Sequence, residues 1–146
     1  MSRIEYFKVK PEMINRLRAI TQEQKEFSID GRLRALVELR VSQISGCVFC
    51  TDLHAREALE LGESPQRLNT LVVWRESPFF DEREKAALAW AESLTLISET
   101  HAGETEYQTI LKFFTDQEVV ELSLAISLAN FWNRMAGGFR RMPATP

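Results

Sequence analysis

Apolar residues recur along most of the chain at intervals of three and four, and nowhere in strict alternation bounded by hairpin turns. That period predicts helices and no sheet. The first opens at Pro11, whose missing N–H costs nothing in a first turn, and carries Met13, Ile14, Leu17 and Ile20 on one face until about Ser28. After Asp30-Gly31, the residues Leu33, Leu36, Val37, Val41 and Ile44 form a second apolar stripe that stops at Ser45-Gly46. Arg40 interrupts this stripe and must reach water or pair with an acid. A third helix begins at the cysteines, runs through Leu53, Ala58 and Leu61, and meets its stop at Gly62. Ser64-Pro65 starts a fourth that reaches Trp74, and Pro78-Phe79-Phe80 breaks the chain.

Asp81 with Glu84, and Thr115 with Glu118, have the spacing of capping boxes. The first opens a helix through Ala86 and Trp90 to Ser98, after which residues 99–103 read as loop. A short helix then holds Tyr107, Ile110, Leu111 and Phe114. The second box opens a long helix through Val119, Leu122, Ile126 and Ala129 that Gly137-Gly138 ends. The tail from Met142 to Pro146 cannot continue it. No repeat or change of composition divides the chain, so residues 1–146 are expected to form one all-α domain, a multi-helix bundle.

The 146 residues are 45% hydrophobic and 27% charged, enough for a single core that needs no disulfide staples. Net charge is −3 and the basic residues are scattered, which argues against nucleic acid and anionic membranes as partners. No run approaches the roughly 18 apolar residues of a membrane span, and the start lacks a basic cap followed by an apolar stretch. A cytoplasmic location is the expectation. In that reducing compartment the two cysteines of Cys47-Val48-Phe49-Cys50 point to redox chemistry or a metal rather than to a structural disulfide.

Cys47, Cys50 and His54 stand at i, i+3 and i+7, within one narrow sector of a helix. Gly46 supplies the turn before them, so both thiols fall where unpaired N–H groups favour thiolate. His54 follows Cys50 by one turn and serves it as base, which makes Cys50 the expected nucleophile and Cys47 the resolving thiol. An oxidant would convert one sulfur to a sulfenic acid, and the second would close the disulfide with loss of water. Ala35, Glu38, Ser42 and Ser45 share the face of the second helix opposite its stripe, where the Glu38 carboxylate is placed to orient His54. Other readings stand beside these: two buried structural cysteines, a zinc site of Cys47, Cys50, His54 and His101, and Glu38 as a solvated surface acid. His101 is expected to be a solvated loop residue, and neither a metal nor a cofactor is expected.

From Arg40 to His54 the sequence RVSQISGCVFCTDLH resembles the alkylhydroperoxidase AhpD-like group within the carboxymuconolactone decarboxylase family. The likeness continues through Glu57-Ala58, Leu61-Gly62-Glu63, Arg67-Leu68, the segment from Trp74 to Pro78, Glu82-Arg83-Glu84, the segment from Ala86 to Trp90, and that from Asn130 to Arg134. It implies an all-helical homo-oligomer, a trimer or a hexamer. In its peroxidase branch it implies a dithiol that reduces alkyl hydroperoxides with electrons from a lipoyl- or thioredoxin-type donor. The decarboxylase branch lacks the paired cysteines, and a lyase of that kind, or a redox-sensing module without turnover, is the rival reading. The proton-relay glutamate of the family stands twelve residues before the first cysteine, where this chain has Ala35. Glu38, three residues later, is the candidate substitute. Phe49 stands where the best-known peroxidases have histidine, and Ser45 where asparagine is usual.

Leu122, Leu124, Leu128, Phe131 and Trp132 spread too widely around the last helix for one stripe, and Trp74, Phe79 and Phe80 add bulk near a loop. Closed assembly of several copies is the expected way to cover them.

Overall fold

In the computed structural model, which describes residues 2–145, nine helices follow one another. They are α1 (Tyr6–Val9), α2 (Pro11–Glu23), α3 (Gly31–Ser45), α4 (Val48–Glu60), α5 (Pro65–Thr70), α6 (Glu82–Thr95), α7 (Ile97–Thr100), α8 (Glu104–Ile110) and α9 (Asp116–Gly138). No strand occurs among the described residues, so the bundle is all-α. Of the expected tail, Pro146 lies outside the described residues, and the rest is non-helical.

The helix ends follow from local chemistry. Asp81 and Thr115 each accept from the backbone three residues on, and Glu84 and Glu118 reach back to complete both boxes. Gly46, at φ 66°, ends α3 in the left-handed region, and the Cys47 N–H turns back to the Ser42 carbonyl at 3.2 Å. Cys47 then becomes the N-cap of α4, its sulfur accepting from the Cys50 N–H at 3.2 Å. Gly62, at φ 96°, stops α4 in the same way.

Packing explains where the elements depart from the pattern. α3 is enclosed by α4, α6 and α9. Its apolar stripe is buried, and so is the opposite face through Ala35, Glu38 and Ser42. The segment after Pro65 is a short helix and a 3₁₀ turn at Leu71–Val73, which swings Trp74 into the core. The helix expected to reach Ser98 ends at Thr95, and Glu99 and Thr100 belong to the single turn α7 instead of a loop. α2 corrects its expected apolar face: Ile14 is buried, whereas Met13 and Ile20 are 57% and 49% exposed. Only a narrow strip of this helix touches the rest of the chain, Trp132 Nε1 donating to Thr21 Oγ1 at 2.8 Å. α9 ends on Gly137-Gly138 as expected, and the left-handed residue beyond is Arg140, at φ 51°. Trp74 and Phe80, expected to be surface bulk, are 3% and 4% exposed because the core of this one chain absorbs them.

Arg40 finds its acid on α6. Glu92 accepts from Arg40 Nε and Nη2 at 3.0 and 2.9 Å, from Trp74 Nε1 at 2.8 Å and from Arg75 at 2.8 Å. Burial pushes the Glu92 carboxyl up, but the Trp74 and Arg40 hydrogen bonds prevail and hold it below its usual range. Its contribution to stability is therefore present above the ordinary carboxylate pKa and lost as pH falls through the lowered value. Replacing it leaves Arg40 with no acid and the Trp74 N–H with no acceptor. Glu92→Ala is expected to cost about 2–4 kcal/mol in denaturant unfolding, and Glu92→Gln, which keeps an acceptor, distinctly less. Equal losses for the two variants would remove the charge and hydrogen-bond argument.

Candidate functional site

Because Gly46 folds α3 back against α4, residues on the facing sides of the two helices meet across the hairpin. Cys47 and Cys50 are joined as a disulfide with their Cα atoms 5.3 Å apart, and both are buried. Cys50 lines a cavity of about 540 Å³ together with His54 and Glu57 of α4, Arg34 and Glu38 of α3, and Trp132 of α9. Cys47 lies beneath it, packed with Cys50 and Ala136.

His54 sits between two carboxylates. Its Nδ1 is 2.8 Å from Glu57 Oε2 and 3.4 Å from Glu38 Oε2. Glu38 is also 3.6 Å from Arg34 Nε. The backbone carbonyl of Glu38 accepts from Ser42 Oγ at 2.9 Å, and Ser42 in turn accepts from Asn133 Nδ2 at 3.0 Å, so α9 steadies this turn of α3.

Burial sets the charges. It raises Glu38 above the usual carboxylate range, and the attraction of His54 and Arg34 only partly opposes this. Burial alone would lower His54, yet the Glu57 hydrogen bond and the charges of Glu38 and Glu57 outweigh it, and His54 ends above its ordinary value. Glu57, half-buried, is pushed up by desolvation but drawn further down by its bond to His54. The three groups are thus shifted unequally: Glu57 toward its ionised form, and His54 and Glu38 toward their protonated forms.

The sequence expectations meet this geometry unevenly. Cys47, Cys50, His54 and Glu38 are gathered at one place, and Glu38 is buried rather than a solvated acid. His101 is exposed, in a left-handed turn after α7. The set Cys47, Cys50, His54 and His101 is not assembled as a metal site. Among the described residues, the one group of three or more His, Cys, Asp or Glu close enough to share an ion is Glu38, His54 and Glu57, within 4.8 Å of one another. Arg34 already supplies a cation beside it. Two residues were missed as site residues, Glu57 and Arg34. The i,i+3 step from His54 to Glu57 and the i,i+4 step from Arg34 to Glu38 were the signals for them.

Residues 11–93 match the carboxymuconolactone decarboxylase family. The uncharacterized protein YdfG of Bacillus subtilis is 34% identical over 134 residues, 92% of this chain and 91% of its own length. A crystal structure from Agrobacterium tumefaciens, of a protein of unknown function with a suggested AhpD role in antioxidant defence, superposes with a TM-score of 0.95. It is 38% identical and covers 99% of this chain and 100% of that one. The debrominase Bmp8, 17% identical with a TM-score of 0.82 over 94% of this chain and 75% of its own, shares the fold alone. The family match spans the α3–α4 turn that joins the cysteines to their histidine, and this chain belongs to the carboxymuconolactone decarboxylase family, in its AhpD-like group.

Proposed function

We propose that the protein is a thiol peroxidase that reduces alkyl hydroperoxides through the Cys47–Cys50 pair. The observation that carries this reading is the position of Cys50, on the wall of the same cavity as His54, Glu38 and Glu57, with Cys47 directly beneath. In the reduced protein, the Cys50 thiolate attacks the terminal oxygen of the hydroperoxide. The O–O bond breaks, the alkoxide takes a proton from His54 and leaves as the alcohol, and Cys50 is left as a sulfenic acid. The Cys47 thiol then attacks the Cys50 sulfur, its proton leaves with the hydroxyl as water, and the disulfide forms. An external dithiol of the lipoyl or thioredoxin type returns the two electrons. Glu38 and Glu57 are positioning residues that fix the imidazole and restore its proton.

The lyase reading requires no thiol, and the redox-sensor reading requires no turnover. The lyase reading is separated from ours by counting thiols before and after one equivalent of cumene hydroperoxide, where a dithiol peroxidase loses two together. The sensor reading is separated by supplying excess peroxide with a dithiol reductant, where a peroxidase consumes many equivalents and a sensor stops near one. Assembly belongs to the same proposal. Met13, Ile20, Val120 and Leu124 remain exposed, and a trimer or hexamer of this chain would cover them. A mass near that of a single chain by light scattering, stable to dilution, contradicts it.

Three outcomes are expected of the site. In Cys47→Ser, a dimedone-type probe labels Cys50 after peroxide, and labelling confined to Cys47 in Cys50→Ser reverses the roles. Glu38→Gln lowers the peroxide rate about 10²-fold with little change in the KM for peroxide, because it acts through His54. A rate like that of the native protein returns Glu38 to a purely structural place. Glu57→Gln keeps an acceptor but removes the charge that holds the His54 proton, so the His54 titration followed by NMR moves to lower pH. The sign extends to stability. The raised His54 value makes its contribution complete below the ordinary histidine pKa and lost as pH rises through the folded value, and Glu57→Gln narrows that loss.

A further inference from the structure

The cavity wall combines three kinds of residue: Glu38, His54 and Cys50, the apolar Phe49, Leu53 and Trp132, and the cationic Arg18, Lys25 and Arg141. Arg34, Arg40 and Arg67, the arginines of the interior, are each paired with an acid. Arg18, Lys25 and Arg141 are not ion-paired among the described residues. In a chain of net charge −3 this is a local excess of positive charge.

Arg141 is held in place by an unusual helix stop. Arg140 adopts the left-handed conformation without being glycine, and the Arg140 and Arg141 N–H groups donate to the carbonyls of Gly137 at 3.1 Å and Ala136 at 2.8 Å. The Arg141 guanidinium lies 3.9 Å over the Phe49 ring, one residue from Cys50, and 5.4 Å from the Phe7 ring. Arg18 approaches the same Phe7 ring at 5.8 Å. Two like charges thus approach one aromatic ring, and both arginines also line the cavity, where a bound anion would offset their charge. Guanidinium forks match a carboxylate in two parallel hydrogen bonds. The Glu57 carboxylate on the same wall repels a dianion more than a monoanion, which favours a carboxylate over a phosphate.

We propose that this cavity selects amphipathic hydroperoxides that carry a carboxylate, with Arg141 and Arg18 holding the anion and the apolar body lying along Phe49, Leu53 and Trp132. The reacting end rests on the peroxidase reading, but the anion site does not. Its volume of about 540 Å³ is that of an ordinary small-molecule pocket.

Calorimetry on the oxidised protein tests the anion site without any turnover, with octanoate and octanol as probes at low salt. Octanoate is expected to bind about tenfold tighter than octanol, and the preference to vanish in Arg18→Met/Arg141→Met. Arg18→Met/Arg141→Lys, which restores one charge, regains part of it. Equal binding of the two probes by the native protein, or a preference kept by the double methionine variant, overturns the proposal. On the reduced protein, linoleic acid hydroperoxide is expected to oxidise the dithiol about tenfold faster than its methyl ester, the ratio falling toward one in the double variant. Equal rates for acid and ester count against the anion site. If neither hydroperoxide oxidises the dithiol, the peroxidase reading fails, and the calorimetry still decides the anion site.

Discussion

The turn at Gly46 is the constraint on which the rest of the site depends. A residue with a Cβ is strained at φ 66°, and without that conformation the Cys47 N–H does not return to the Ser42 carbonyl and α4 does not start where it does. The same turn makes Cys47 the cap of α4 and places Cys50 on its third residue, among the N–H groups of a first helical turn. It also brings α3 back alongside α4. The Glu38 carboxylate of α3 and the Cys50 sulfur and His54 imidazole of α4 therefore share a cavity because of one left-handed residue.

α3 carries two kinds of buried charge, and they are handled differently. Arg40 is matched by Glu92, which also satisfies Trp74 and Arg75, so that every strong donor around the carboxylate is used. Such a cluster fixes one arrangement of α3, α6 and the Trp74 turn. Nearer the start of the helix, Arg34 and Glu38 are joined by His54 and Glu57, and the balance is left uneven, with Glu38 raised and Glu57 lowered. A fully paired cluster holds its protons over a wide pH range, whereas an uneven one can give and take them.

What was legible in the sequence was what a few neighbouring residues decide. Both capping boxes, the stops at Gly46 and Gly62, and the grouping of Cys47, Cys50 and His54 are short-range facts, and the structure contains them. The acid for Arg40 lies 52 residues away, and helical periodicity holds no information about it. The face of α3 bearing Ala35, Glu38 and Ser42 looked like a solvent face because it is polar and small. Those same small residues let α4 and α9 approach closely enough to bury it. α2 failed in the opposite sense. Its regular apolar spacing suggested a core face, but the helix touches the bundle by a strip and leaves Met13 and Ile20 outside, a matter of where it docks rather than of how it coils.

The places of Ala35 and Glu38 relative to His54 follow from the same hairpin. In two antiparallel helices joined by a short turn, residues equally distant from the turn come opposite one another. Glu38 lies eight residues before Gly46 and His54 eight after it, so each stands about 12 Å along its helix from the turn. Ala35 lies eleven residues before Gly46, and its counterpart at eleven residues after is Glu57. A carboxylate at position 35 would thus approach the histidine from one turn away, beside the place where this chain has Glu57. Acids stand on both sides of the hairpin, Glu38 across from the imidazole and Glu57 a turn beyond it on its own helix. The three-residue shift along α3 changes which carboxylate faces His54 and leaves the imidazole with acidic neighbours at 2.8 and 3.4 Å.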